Sequence, residues 1–284
     1  MASDRIIKRR IKSAKNISQI TKAMQMVAAS KMRRAVDSTV KGKPYADKIY
    51  TMVHEFAAQI DETHHELLRK NTSSKELVVL IATNKGLCGG LNNALFRKMV
   101  TWFTNSPIDI VLLGKKGRSF TIRTGSTLIA DFSESGLFIS SVAAVTQLIV
   151  QHYLSGTYGS IWLVFNQFIS PLVQIPVRKC ILPIVEFETG EKQLSKESYH
   201  EMLIEPSIEQ ILDELLFHYL ENQVRAAILE AEASEHSARM IAMKNATENA
   251  AELTEVLTLE YNKARQQKIT FEIADMVTAR LAVE

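Results

Sequence analysis

Glycine and proline, the residues that most often interrupt helices, are confined to the middle of this 284-residue chain. The first is Gly42 and the last is Pro206, so the chain before Gly42 and after Pro206 contains neither residue type. The 78 residues from 207 to 284 therefore have room for a single helix, which would be about 115 Å long. Because helices in globular proteins average about 11 residues, a helix of this length predicts a partner along its side.

The other end of the chain supplies the predicted partner helix. Apolar residues recur there at steps of three and four, which places them in one stripe on a helix. These residues are Ile7, Ile11, Ala14, Ile17, Ile20, Met24 and Val27. Near the C-terminus, alanine repeats every four positions from Ala238 to Ala250, a narrow ridge that lets another backbone approach closely. We therefore expect a long antiparallel coiled coil of the N- and C-terminal helices, in which the C-terminal helix extends further.

Charge is divided unequally between the two ends of the chain. Residues 1–43 contain twelve Lys or Arg and two Asp, whereas residues 207–284 contain seven Lys or Arg and fourteen Asp or Glu. Opposite charges suit two helices that pack together, but a basic arm can also neutralise phosphates. A basic coiled-coil protein that binds nucleic acid is therefore an alternative, against which the apolar stripe and the acidic partner helix argue.

The middle of the chain has the pattern of an α/β domain. Short apolar runs predict strands at 77–81, 108–113 and 161–165, with helices near 91–103 and 140–154 between them. Strands that alternate with helices indicate a parallel or mixed sheet. We expect the α/β fold class, with a Rossmann-like α/β domain inserted into the coiled coil. The predicted domains are an N-terminal coiled-coil helix at 1–60, an α/β foot domain at 75–190 and a C-terminal coiled-coil helix at 207–284.

A glycine-rich segment, Asn84 to Gly90, follows the first predicted strand and precedes a helix, where phosphate-binding loops lie. A P-loop requires Gly-Lys-Ser/Thr after its last glycines, and here Leu91 and Asn92 follow. The Gly-x-Gly-x-x-Gly pattern of dinucleotide-binding proteins is also missing. We interpret the segment as a tight turn that uses glycine for positive φ. A small nucleotide-binding enzyme built on the foot domain is a second alternative.

Patterns typical of catalytic, metal or membrane-spanning segments are not found in the sequence. The seven histidines have no metal-ligand spacing, and the adjacent His64 and His65 would not face one site on a helix. Cys88 and Cys180 are far apart, and no Ser-His-Asp or Cys-His arrangement stands out. No stretch approaches the roughly 20 apolar residues of a membrane span. We expect a non-catalytic protein without a cofactor or a metal.

Several segments together resemble one family, the gamma subunits of F-type ATP synthases. The N-terminal segment 20–34 is similar to the first helix of that family, and 86–92 is similar to the motif after its first strand. Residues 234–247 and 261–272 resemble its C-terminal helix and signature. The segments are spread over both ends and the centre of the chain. One departure is Ala279-Arg280, which stands where the family has Gly-Ala and places a charge near the tip.

The resemblance implies a rotating central stalk that has no catalytic site of its own. In this family the coiled coil penetrates a ring of three alpha and three beta subunits, and the α/β domain joins the epsilon subunit and a membrane ring of c subunits. Ion flow turns the shaft, and each beta subunit meets a different face of it, so the shaft shifts the conformation of each in turn. The implied location is the cytoplasmic face of a bacterial inner membrane, as a peripheral protein.

The resemblance also implies which residues contact partner subunits. One group would lie near the lever segments of beta, which are acidic in the family, and another would contact loops of the surrounding ring. Basic residues beside acidic levers are electrostatically reasonable, although exposed pairs are individually weak. The N-terminal contact group is Lys22, Met24 and Lys31, and the C-terminal contact group is Arg265, Gln266, Thr270 and Glu272.

Overall fold

Two long helices flank a mixed α/β domain in the computed structural model, which describes residues 2–57, 66–104, 107–134, 136–184 and 208–281. Helix α1 spans Ala2–Ala57 and helix α5 spans Ile208–Leu281. The chain divides into two compact units. The terminal unit consists of residues 1–30 and 239–284, and the central unit consists of residues 31–238.

Among the described residues of the central unit, five strands and three shorter α-helices are found. The strands are β1 (Glu76–Ile81), β2 (Ile108–Leu113), β3 (Thr127–Asp131), β4 (Ser160–Ser170) and β5 (Val173–Leu182). The helices are α2 (Leu91–Trp102), α3 (Arg118–Thr124) and α4 (Val142–Leu154). The three predicted strands and two predicted helices are all present, whereas β3, β5 and α3 were not predicted.

The strands form one sheet in the order β3-β2-β1-β4-β5. The first four are parallel, with Val79 aligned to Val111 and to Leu163, and β5 is antiparallel to β4. The order reverses between β1 and β4, which is the topological switch point of a Rossmann-like sheet. The predicted α/β fold class is therefore confirmed.

Alternate strand residues are buried on opposite faces of the sheet, in accordance with the two-residue period of a strand. On one face, Val78 and Leu80 pack with Met99 of α2 and Phe120 of α3. The second, larger core lies on the other face and includes helix residues from α1, α4 and α5. Its helix residues include Ile49, Val53, Val145, Ile149, Leu216, Leu220 and Val224. The base of α5 is thereby part of the folded core.

Helix α1 continues through Gly42 and Pro44, two residues that disfavour a helix interior. Both are exposed, and Ile49 and Val53 beyond them are buried in the core of the central unit. Burial of this last part of α1 stabilises a helix that local propensity alone would interrupt.

In the terminal unit, α1 and α5 meet along residues spaced seven apart. Ala14, Thr21 and Ala28 are buried on α1, and Ala250 and Leu257 are buried on α5. A seven-residue repeat is the period of a left-handed coiled coil. A hydrogen bond links the two helices, with 2.7 Å between the hydroxyl oxygens of Thr21 and Thr247. The predicted coiled coil of the two terminal helices is confirmed.

The predicted apolar stripe of α1 is only partly the face that contacts α5. Ile17, Ile20 and Val27 are 52%, 57% and 58% exposed. The contact runs through Ala14, Thr21 and Ala28 instead, because small side chains let two helix backbones approach closely. Ile17, Ile20 and Val27, three members of the predicted apolar stripe, lie on the outer surface.

The division into domains at 1–60, 75–190 and 207–284 stays a prediction, since several of these boundaries lie outside the described residues. The pair His64-His65 also lies outside them. Among the helices of the described residues, none combines the length and the apolar character that a membrane span requires.

Candidate functional site

The N-terminal contact group lies on the outer surface of α1. Lys22 is exposed and Met24 is 41% exposed, and both belong to the terminal unit. Met24 continues the exposed apolar stripe of Ile17, Ile20 and Val27 at helical spacing. An unbranched methionine in such a stripe adapts to irregular or changing partner surfaces. This part of the helix is therefore suited to contact with another protein.

Lys31, the third member of the group, belongs to the central unit and is exposed. Its positive charge affects the pKa of Glu232, an acidic residue of α5. Burial raises the pKa of Glu232, the neighbouring Glu235 raises it further, and the positive charge of Lys31 opposes both effects. Lys31 is thus within electrostatic reach of Glu232, a carboxylate of the same chain.

The C-terminal contact group lies on α5 in the terminal unit, and its four members are all exposed. The Thr270 hydroxyl donates to the Gln266 carbonyl at 3.0 Å, and Lys268 Nζ lies 3.5 Å from the Glu272 carboxylate. Both contacts join residues four apart on one helix, so they orient side chains without anchoring them elsewhere. The side chains of Arg265 and Gln266 project from the same exposed segment.

The end of α5 exposes an unusual amount of apolar surface. Every residue from 269 to 280 is exposed. The large apolar residues among them are Ile269, Phe271, Ile273, Met276 and Val277, and their exposed fractions range from 46% to 70%. Apolar side chains grouped in this way mark an interaction surface rather than a solvated one. Arg280 lies in the last turn of this segment.

The glycine-rich segment after β1 is a tight turn, as predicted, but glycine is not its only residue of positive φ. Leu87 has φ of 64° and Gly89 has φ of 60°. Asn92 holds the turn, because its amide nitrogen donates to Thr83 Oγ1 at 2.7 Å and its amide oxygen accepts from the Thr83 N–H at 3.3 Å. The turn is thus stabilised by side chains of the chain itself.

Helix α5 covers the switch point of the sheet, where Rossmann-like proteins bind their ligands. The cavity there has a volume of only about 10 Å³ and is lined in part by Thr83, Asn166, Glu232 and Glu235. This volume holds about one water molecule, and two carboxylates would repel a phosphate. The geometry gives no support to the nucleotide-binding alternative. Among the described residues, no group of three or more His, Cys, Asp or Glu is placed to hold a metal ion.

The sequence did not predict a buried charge network at the amino ends of the strands, opposite the switch point. Asp109 is 3% exposed, and its carboxylate lies 2.6 Å from Lys75 Nζ and accepts a 2.7 Å hydrogen bond from the Tyr158 hydroxyl. Burial alone would raise the pKa of Asp109, but these hydrogen bonds outweigh it and hold that pKa below its usual value. The sequence feature that could have indicated this network is a charged residue, Asp109, within the apolar strand β2. The network stabilises the domain, and Lys75 and Asp109 also line a cavity of about 530 Å³.

Comparison with known proteins finds similarity along the whole chain. The family model described as ATP synthase matches residues 3–283. A protein of Methylacidiphilum infernorum named ATP synthase gamma chain is 41% identical over 294 aligned residues, which cover all of both chains. Proteins of the same name are 40% identical in Opitutus terrae, over 99% of both chains, and 36% identical in Legionella pneumophila, over all of both chains.

Solved structures share the fold. A chain of the Tetrahymena thermophila mitochondrial ATP synthase, from a structure of the central stalk and c-ring, has a TM-score of 0.60 and 26% identity, and the match covers 80% of this chain and 99% of that one. A chain of the Euglena gracilis mitochondrial ATP synthase rotor has a TM-score of 0.63 and 22% identity, over 94% of this chain and 99% of that one. At 22% identity the second likeness concerns the fold alone.

Proposed function

The chain belongs to the family of ATP synthase gamma chains, and we propose that it is the central shaft of the rotor in an F-type ATP synthase. It turns inside a ring of three alpha and three beta subunits and couples ion transport to ATP synthesis or hydrolysis. The observation that carries this proposal is similarity to gamma chains over the full length, at up to 41% identity. The exposed apolar end of α5, residues 269–280, supports it as a surface that needs enclosure.

The shaft acts by differential contact rather than by chemistry. Its outer surface is uneven, since an apolar stripe with Met24 runs along α1 whereas an apolar tip with Phe271 and Met276 ends α5. A beta subunit that faces one side of this surface has a different binding free energy from one that faces another. Only such a difference can shift a conformational equilibrium. Phosphoryl transfer itself takes place in the other subunits, so this chain is non-catalytic.

The two contact groups meet different parts of the surrounding subunits. Lys22, Met24 and Lys31 lie near the acidic lever segments of beta, where the bases provide attraction and Met24 provides an adaptable apolar contact. An exposed ion pair contributes only about 0–1 kcal/mol, so the bases guide the contact more than they hold it. The C-terminal contact group meets loops of the surrounding ring. Its members are Arg265, Gln266, Thr270 and Glu272.

The α/β domain forms the lower part of the rotor and joins the epsilon subunit and the c-ring. In this arrangement the coiled-coil helices at 1–60 and 207–284 reach into the ring, and the foot domain at 75–190 receives the rotation of the membrane sector. The complex holds the chain at the cytoplasmic face of a bacterial inner membrane as a peripheral protein.

A reconstitution tests this function. The purified chain is mixed with the alpha and beta subunits of a related F-type enzyme, and the mixture is examined by size-exclusion chromatography and an ATP hydrolysis assay. We expect one complex with three alpha and three beta subunits for each copy of this chain, and hydrolysis that no component has alone. A chain that stays unassociated and instead binds DNA with steep salt dependence would favour the nucleic-acid alternative.

A further inference from the structure

Two buried serines of α5 bind the hairpin formed by β4 and β5. Ser234 and Ser237 are one turn apart on the helix, and each is 0% exposed. The Ser234 hydroxyl donates to the Asn166 carbonyl at 2.8 Å, and the Ser237 hydroxyl donates to the Pro171 carbonyl at 2.6 Å. All four residues belong to the central unit. The helix is therefore joined to the hairpin at two separate points.

The sheet leaves the Asn166 carbonyl in need of a donor. Asn166 stands opposite Pro176 in the ladder between β4 and β5, and proline has no N–H to donate. On the other side, the pairing of β4 with β1 ends at Val164. A buried carbonyl without a donor is strongly unfavourable. The Ser234 hydroxyl meets this need from outside the sheet.

The second bond holds the turn of the hairpin. Pro171 follows the end of β4, and the Gln174 amide nitrogen donates to the carbonyls of Ser170 and Pro171, each at 3.1 Å. The same amide lies 3.4 Å from Ser237 Oγ. Gln174 and Ser237 thus converge on one carbonyl. They hold the projecting end of the hairpin, where β1 provides no support, against α5.

Hydrogen bonds restrict the helix in a way that apolar packing does not. The apolar residues of α5 that enter the core, such as Leu220 and Val224, make non-directional contacts that tolerate small rotations. A hydroxyl and a carbonyl interact strongly only within a narrow range of distance and angle. Two such bonds, one turn apart, oppose both rotation of α5 about its axis and sliding along it.

We propose that Ser234 and Ser237 form a latch, in which two positioning residues fix the α/β domain to α5 so that rotation of the domain is delivered to the shaft. This inference rests on the proposed function as a rotor. The residues touch no reacting atoms and act through the hairpin. Loss of the latch lets the domain twist on the helix, so ATP hydrolysis proceeds with less ion transport per ATP.

The test compares the assembled complex containing Ser234→Ala/Ser237→Ala with one containing Thr146→Val. Thr146 is a matched control, since it is 0% exposed in the same unit and its hydroxyl has no hydrogen-bond partner among the described residues. The double variant loses both hydrogen bonds, so we expect hairpin amides to exchange at least ten-fold faster, since ten-fold is about the factor for loss of one hydrogen bond to a buried group. Ion transport per ATP in membrane vesicles falls in the double variant and is unchanged in the control.

A second pair of variants applies if the double variant does not assemble. Ser237→Ala alone then lowers transport per ATP, and Ser237→Thr, which keeps the hydroxyl, restores it. Variants that assemble with wild-type hairpin exchange and wild-type transport per ATP overturn the latch. Failure of the proposed function is distinguishable, because in that case the wild-type chain itself does not assemble or couple.

Discussion

The hydroxyl oxygens of Thr21 and Thr247 lie 2.7 Å apart and join α1 to α5 by one hydrogen bond across the coiled coil. Each hydroxyl also reaches a carbonyl of its own helix, that of Ile17 at 2.9 Å or that of Met243 at 2.8 Å. Because a hydroxyl has a single hydrogen, only one threonine can donate across the contact while the other donates within its helix. The pair is therefore a single shared bond in an otherwise small-residue contact.

Replacement of either threonine by valine removes this shared bond, so the two replacements should not be additive. We expect Thr21→Val and Thr247→Val to show a coupling free energy of about 1 kcal/mol in a double-mutant cycle. The measurement is urea unfolding of the full chain, followed by the helical circular dichroism signal. The control is Thr258→Val, since Thr258 is exposed on α5. Strict additivity would contradict a bond between the two hydroxyls.

Glu232 should reduce stability at neutral pH. Burial and then the charge of Glu235 raise its pKa above the ordinary value of 4.5 in the folded chain. The folded state therefore binds the proton of the Glu232 carboxyl group more tightly than the unfolded state does. The charged carboxylate lowers the free energy of unfolding at neutral pH, and this effect disappears as the pH falls through the pKa of the folded state. We expect Glu232→Gln to raise Tm at pH 7 and to lose this advantage below about pH 4.5.

The matched control for Glu232 is Glu252→Gln, because Glu252 is exposed on the same helix. Its Tm should follow the wild-type value at both pH values. A Glu232→Gln chain that is less stable than wild type at pH 7 would contradict the account of this carboxylate.

Replacement of two glycines by alanine should change the stability of the chain in opposite directions. Gly114 has φ of 104°, and an added Cβ would lie 2.1 Å from the Ala82 carbonyl oxygen. Gly114→Ala should therefore destabilise the α/β domain by roughly 3 kcal/mol or more. Gly42 lies inside α1 with no atom within 4 Å of an added Cβ, so Gly42→Ala should stabilise the chain by about 0.5–1 kcal/mol. Urea unfolding measures both, and equal effects would be inconsistent with these backbone assignments.

Met24→Lys and Gln266→Leu should impair function while leaving the fold intact. Both residues are exposed, so each substitution should change stability by less than about 0.5 kcal/mol. We expect a lower ratio of ion transport to ATP hydrolysis, or slower turnover, in the assembled complex. The neighbouring exposed residues supply the matched controls, Met26→Lys and Gln267→Leu. Controls that impair coupling as much as the tested variants would show that these contacts are not position-specific.

Much of the fold could be predicted from local patterns. The flanks without glycine or proline predicted α1 and α5, and three apolar runs predicted β1, β2 and β4. The edge strands β3 and β5 were missed because they are only partly buried and mix polar with apolar residues, as at Arg178 and Lys179. The apolar stripe of α1 did not identify the face that contacts α5. Hydropathy favours Ile17 and Ile20 over Thr21, whereas close approach of the helices favours the smaller side chain.

The candidate contact residues came from family motifs, and the structure finds all seven exposed. Other features depend on contacts distant in sequence. The role of Ser234 depends on the strand register, in which Asn166 stands opposite Pro176 and beyond the end of the pairing with β1. Nor did the sequence indicate that α5 covers the switch point with Glu232. No local pattern encodes contacts of this kind.

Rotation of the assembled complex tests the central claim most directly. A probe is attached at Ser119→Cys, an exposed position on α3, in a chain whose half-buried Cys180 is replaced by Ala, while the buried Cys88 is kept. The ring of alpha and beta subunits is fixed to a surface, and ATP is added. The account predicts that the probe turns in one direction, with three equal steps in each revolution. A complex that hydrolyses ATP while the probe only fluctuates about one position would contradict it.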